Sequence, residues 1–103
     1  MMAETYYAGL APHGPYGPVN LAACLHVATA TPNFLIQEAA DTFRLGERHL
    51  KEPFKVVDGY IDIPRGPGLG IELDEAYIAT QKLESQSDAG RWFHDDDGAV
   101  ADW

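Results

Sequence analysis

With 103 residues, the chain has room for one small domain with a modest core and none for a second. Its formal net charge of −9 at pH 7, from 16 Asp and Glu against 7 Lys and Arg, excludes a nucleic-acid or anionic-membrane surface, because either needs clustered cations to neutralise phosphates. No apolar run approaches the roughly 20 residues of a bilayer span, and no basic region precedes a hydrophobic N-terminal stretch, so a soluble, cytoplasmic protein is expected.

Charge is unevenly placed. Residues 1–40 carry only Glu4 and Glu38 and read as core, whereas residues 72–103 carry nine acids against Lys82 and Arg91 and read as a solvated acidic surface. In chain order, residues 1–6 have the composition of a helix tail without a start signal. Residues 7–11 are small and apolar, as in a buried strand, and Pro12 withdraws a backbone donor where the ladder should stop. His13 follows at once. Gly14, Pro15 and Gly17 make a turn, with Pro18 at a first helical position where its missing N–H is not needed.

The spacing predicts a helix over residues 19–30, with Leu21, Cys24, Leu25 and Ala28 at i, i+3, i+4 and i+7. Val19, Ala22, Ala23, Val27 and Ala30 make its other sides apolar too, which predicts burial on more than one side. Pro32 pushes Thr31 out of helical space and ends the helix. Residues 33–38, with Phe34, Leu35 and Ile36 in a row, read as a strand of a parallel sheet covered on both faces. Strand, helix and strand make a βαβ unit, whose parallel strands end on one edge about 4.8 Å apart when adjacent. His13 and Glu38 both fall at that edge, where ligand sites of parallel α/β folds lie. With both side chains pointing the same way, Gly9 and Ala11 share the face of His13, and Phe34 and Ile36 that of Glu38.

Further on, residues 39–53 suggest a short helix from Asp41 to Leu45, broken by Gly46, and then a loop. Asp58-Gly59 between two β-rich runs, 54–57 and 60–63, predicts a hairpin. Residues 64–70 read as an irregular loop, and Asp74 as the N-cap of a helix over residues 75–83. The tail from Gly90 holds Trp92, Phe93, Val100 and Trp103 and is too aromatic for simple disorder.

His13 and Glu38 are candidates for a general acid and base, although polar residues also simply end strands. The other motifs read as bland. Pro67 lacks the donor N–H that a phosphate cradle needs, and the G-x-G-x-x-G spacing is absent from residues 66–70. Asp95-Asp96-Asp97-Gly98 lacks the alternating ligands and terminal Glu of a calcium loop. Cys24 and His26 alone cannot close a zinc site, and a free thiol in an apolar helix acts as a small hydrophobe. His49 and His94 lie in polar surroundings that ask for no function, and no G-x-S-x-G supports acyl transfer.

Three strings carry a family likeness: APHGPYGPVNLAACLHVATATPNFLIQE, DGYIDIPRGPGLGIELDE and the terminal GAVADW. Together they resemble the C-terminal end of an acid-sugar dehydratase of the enolase superfamily, mandelate racemase/muconate lactonizing enzyme group, galactonate dehydratase-like. The resemblance implies an α/β fold, the C-terminal portion of a (β/α)8 barrel, with residues 1–53 supplying its last βα units, strands 7 and 8 included. Residues 54–103 would be an extension, hairpin and helix, that returns to a capping domain. It implies His13 as acid/base and Glu38 as the residue that hydrogen-bonds the substrate as its enolate forms. The reaction implied removes the proton beside a carboxylate and eliminates water, giving a 2-keto-3-deoxy acid. That proton is weakly acidic, so its loss needs a tuned base and strong enolate stabilisation, for which this superfamily pairs a Lys or His base with Mg²⁺. Glu38 would donate to the enolate only when protonated, which a buried, negatively charged site favours.

A complete barrel takes roughly 200 or more residues, and the family's Mg²⁺ ligands end its third, fourth and fifth strands. Those positions are absent here, as are the sixth-strand aspartate that orients the histidine and the second acid/base group. The chain is therefore expected to be an incomplete barrel, inactive alone, whose partners are a sugar-acid substrate and the missing N-terminal part of the same enzyme, homo-oligomeric when complete. A racemase or cycloisomerase of the same superfamily would share this half-site. A non-catalytic α/β interaction module, docking through the nearly uncharged first forty residues, is the reading from a different class.

Overall fold

The computed structural model describes residues 2–39, 45–82, 92–93 and 97–101. Helix α1, Met2–Thr5, is the expected helix tail. It closes through Tyr7, whose φ of 56° is left-handed, with Tyr7 N–H donating to the Glu4 carbonyl at 3.0 Å and Ala8 N–H to that of Ala3 at 2.9 Å. This is a Schellman closure with tyrosine where glycine is usual. Tyr7 is therefore spent on ending a helix and does not begin a strand.

The expected strands over residues 7–11 and 33–38 shrink to one parallel bridge, Leu10 to Phe34. Leu10 N–H donates to the Asn33 carbonyl at 2.8 Å, and Leu35 N–H to that of Leu10 at 2.8 Å. Side-chain amides extend the pairing where backbone cannot: Asn33 Nδ2 donates to the Ala8 carbonyl, and Gln37 Nε2 reaches that of Pro12 at 3.3 Å. The expected pairing of faces is also corrected. A methyl carbon at Gly9 would lie 2.2 Å from Leu35 Cδ1, so the side chain that meets Gly9 most closely is Leu35. Leu35 and Ile36 are exposed, because the described residues put no second layer over this pair of segments.

Helix α2, Pro18–Thr29, follows an extended Gly17 that offers no side-chain cap, and Pro18 occupies the first turn. At the other end Thr29 Oγ1 bonds back to the Leu25 carbonyl at 2.7 Å, and Thr31 Oγ1 donates at 2.6 Å to the Val27 carbonyl, which Ala30 N–H also reaches at 3.2 Å. The buried stripe is Leu21, Ala22, Leu25 and Ala28, with Cys24 only half-buried. Burial on more than one side does not occur: Val19 and Val27 are exposed.

Gly46, at φ 84°, is buried between Leu50 and the start of α2; a methyl carbon there would lie 2.6 Å from Leu50 Cδ1 and 3.0 Å from Pro18 Cβ. Leu50 is buried and makes an antiparallel bridge with Leu73, flanked by Lys51 N–H to the Glu72 carbonyl and Asp74 N–H to that of His49, both at 2.9 Å. The Lys51 and Glu72 side chains pair beside it. Hydrogen bonding and proximity to Glu72 hold the Lys51 amine above the ordinary lysine range, although a fully exposed pair adds little stability. Of the helix expected near Asp41, residues 41–44 lie outside the described residues, and Leu45 begins a turn.

The hairpin forms at the expected place. Strands β1, Val56–Val57, and β2, Tyr60–Ile61, pair antiparallel around Asp58 and Gly59, both with positive φ, as a type I′ turn requires. Its strands are two residues each, shorter than the sequence suggests, and the β1 residues are exposed. Helix α3, Glu75–Thr80, is capped by Asp74, whose Oδ1 accepts from Tyr77 N–H at 2.9 Å, and it stops at an extended Gln81, short of the expected Leu83, itself outside the described residues. Strands β3, Trp92–Phe93, and β4, Val100–Ala101, pair antiparallel. His94, Asp95 and Asp96 lie outside the described residues, while Asp97 and Gly98 form an exposed turn. Among the described residues no helix is long and apolar enough to cross a membrane.

Candidate active site

The parallel bridge sets two segments running side by side in the same direction, and both candidate side chains lie a few residues past it. His13 Nδ1 lies 2.8 Å from Glu38 Oε2. Gly14 N–H donates to the same oxygen at 2.9 Å. Gly14 is buried, and a methyl carbon on it would sit 2.3 Å from the Glu38 carbonyl oxygen, so glycine is what allows the two segments to approach this closely. The imidazole is 76% exposed and the carboxylate 41%, which makes the pair an open one on the edge of the chain. In water such a pair contributes little stability, so its interest is chemical.

Gly14 is the participant that sequence reasoning missed. Between Pro12 and Pro15 it reads only as a turn former, and its N–H becomes a donor to Glu38 through the approach of a segment 24 residues away. Gln37, which bridges to Pro12 and to the Glu38 carbonyl, was likewise silent in the sequence.

The remaining candidates stay outside this site. His26 Nε2 meets the Leu69 carbonyl at 3.1 Å and ties the glycine-rich loop to α2, a structural role. His49 stacks edge-on against Tyr77 with ring centres 5.3 Å apart. A groove of ≈ 1110 Å³ between Lys51, Phe54, Ile61 and Ile71 includes neither His13 nor Glu38. Among the described residues no group of three or more His, Cys, Asp or Glu is arranged to hold a metal ion. His13 and Glu38 offer two donors already engaged with each other, so they do not fit a Mg²⁺ site by themselves.

Comparison with known proteins bears on the family of the chain. The family model described as enolase C-terminal domain-like matches residues 1–77. A D-galactonate dehydratase of Ralstonia pickettii is 39% identical over 99% of this chain and 28% of its own length. Thus the chain spans between a quarter and a third of the curated relatives it matches. Among solved structures, one of the mandelate racemase/muconate lactonizing enzyme kind from Burkholderia SAR-1 is 40% identical with a TM-score of 0.74, covering 97% of this chain and 26% of its own. A mandelate racemase/muconate lactonizing enzyme from Jannaschia sp. CCS1 is 35% identical with a TM-score of 0.71, over 81% of this chain and 21% of its own.

Proposed function

The chain belongs to the enolase C-terminal domain-like family, the (β/α)8-barrel portion of such enzymes, and on that footing we propose that it supplies the end of the barrel of a sugar-acid dehydratase. In this reading Leu10 and Phe34 lie on the last two barrel strands, residues 1–53 close the barrel, and residues 54–103 run on toward a capping domain. His13 is the acid/base group. Glu38 faces the carboxylate end of the substrate and hydrogen-bonds the enolate as it forms. The observation that carries the reading is the contact between His13 and Glu38, 2.8 Å apart at one edge of a parallel pair, in a chain 39% identical to a D-galactonate dehydratase.

Proton abstraction beside a carboxylate creates a second negative charge, and stabilising it requires donors in a water-excluded site. An imidazole three-quarters exposed is not in such a site. The reading therefore assigns the remaining walls, the second acid/base group and the Mg²⁺ ligands to a longer enzyme. Mg²⁺ in that enzyme would neutralise the carboxylate and enolate oxygens. The described residues of this chain form no metal site, and no step is assigned to them through the ion.

The test is reconstitution. Combined with the N-terminal part of the Ralstonia pickettii relative and Mg²⁺, the chain is expected to dehydrate galactonate, and His13→Gln should lower turnover by about 10²–10⁴-fold, the usual contribution of a positioned acid or base. Turnover by the chain alone, or a reconstituted enzyme indifferent to His13→Gln, would refute the reading. The names of the solved neighbours favour racemisation or cycloisomerisation as the second reading. Product analysis separates the two, since only dehydration yields a 2-keto-3-deoxy acid.

A further inference from the structure

We propose that Gln37 is a positioning residue of this site: its side-chain NH2 donates both to the carbonyl that precedes His13 and to the carbonyl of Glu38, and so sets how the two segments carrying these residues face each other. The proposal rests on the reading of His13 and Glu38 as the reacting pair and adds to it the group that spaces them. In a parallel ladder, alternate residues of one strand bond to both neighbours of the residue opposite, as Leu10 does to Asn33 and Leu35. Continued past the Leu10–Phe34 bridge, the ladder would put Pro12 opposite Ile36, with a bond from residue 12 to the Leu35 carbonyl and one from the Gln37 backbone to the Pro12 carbonyl. Proline has no N–H, so the first of these cannot form. The Pro12 carbonyl is met instead by the Gln37 side chain, with Nε2 at 3.3 Å, and the same nitrogen lies 3.0 Å from the Glu38 carbonyl. Carbonyls only accept, so the nitrogen end of the amide has to face them, and both its hydrogens are committed. One group thus holds the peptide plane that enters His13 and the peptide plane that leaves Glu38.

A second observation joins the amide to the third member of the site. A methyl carbon on Gly14 would lie 2.3 Å from the Glu38 carbonyl oxygen and 3.0 Å from Gln37 Nε2, so the Gly14 Cα, the Glu38 carbonyl and the Gln37 amide are packed together. From this cluster the Gly14 N–H leads to Glu38 Oε2 at 2.9 Å. Gln37 Oε1 is buried and accepts from no protein group among the described residues, which leaves the NH2 as the part of the side chain that holds the segments. Both groups it holds are main-chain carbonyls, whose acceptor character does not change with pH. The spacing is therefore the same whether the Glu38 carboxyl is ionised or protonated, and whether it meets His13 or an enolate. An acid/base group and an enolate partner act only in near-attack geometry, where about 1 Å of misplacement costs about 10²-fold in rate.

Gln37→Met keeps the length of the side chain and removes both donors, whereas Gln37→Glu keeps its shape and turns an acceptor toward the two carbonyls. By hydrogen exchange on the 103-residue chain, the Gly14 amide is expected to be protected in wild type and to exchange about tenfold faster in Gln37→Met, while the Leu10 and Leu35 amides of the bridge keep their protection. In the enzyme reconstituted as above, Gln37→Met should lower kcat by about 10–100-fold with KM for galactonate within about twofold, the mark of an interaction realised in the transition state. Gln37→Glu should lower kcat further. An unprotected Gly14 amide in wild type, equal losses at Gly14 and Leu35, or a Gln37→Met enzyme with wild-type kcat would each overturn the proposal. A wild-type chain that gives no turnover on reconstitution sinks the dehydratase reading, and the exchange measurement then decides by itself whether Gln37 sets the spacing. Full turnover that does not respond to Gln37→Met does the reverse.

Discussion

Two glycines of the paired segments meet near-identical crowding and should respond differently to the same change. A methyl carbon at Gly9 would come 2.2 Å from Leu35 Cδ1, and one at Gly14 would come 2.3 Å from the Glu38 carbonyl oxygen. Leu35 is 72% exposed and can rotate away, whereas a carbonyl oxygen moves only with its backbone. Gly9→Ala is therefore expected to change stability by no more than about 0.5 kcal/mol, the ordinary range of a surface substitution, and Gly14→Ala to cost about 1–3 kcal/mol. Hydrogen-exchange protection of the Leu35 amide, which bonds to the Leu10 carbonyl, reads both effects. Equal losses at the two sites would mean that the Gly14 contact has no special place in the pairing.

Elements differ in how far they are finished. Leu50 is the one buried large side chain outside α2 among the described residues, and it joins the helix start, through Gly46 and Pro18, to the bridge at Leu73. Leu50→Ala should cost about 2–5 kcal/mol, as for other large-to-small core changes. Val27 lies on the opposite, uncovered side of α2, 57% exposed, and Val27→Lys should stay within about 0.5 kcal/mol in the lone chain. Thermal melting followed by helical circular dichroism compares the two. The same Val27→Lys in the reconstituted enzyme is expected to destabilise, because there the second apolar side of α2 would be covered. A neutral result in both settings would mean that this side of the helix faces solvent throughout.

The molecule as a whole is open. Its Cα radius of gyration is 17.5 Å, against about 13 Å for a compact domain of this length. Tyr7, Leu35, Ile36 and Tyr60 are all exposed, at 98%, 72%, 67% and 79%. The lone chain is expected to bind a hydrophobic dye and to melt over a broad range, and the N-terminal part of a galactonate dehydratase should suppress the dye signal and sharpen the transition. A cooperative melt without dye binding would instead make the chain a self-sufficient module. By itself the sequence determined what local rules control: α2 from Pro18 to the Thr31-Pro32 stop, the Asp58-Gly59 turn, the Asp74 cap and the family likeness around His13 and Glu38. Each rests on φ restriction, side-chain capping or residue order over a short span. Tertiary structure alone decided that Gly9 meets Leu35, that α2 buries one side, and that the Gly14 N–H joins His13 on one oxygen of Glu38. The contacts of Gly9, His13 and Gly14 depend on how closely residues some 25 apart in the chain approach each other, a distance set by packing and not by any pattern along the sequence.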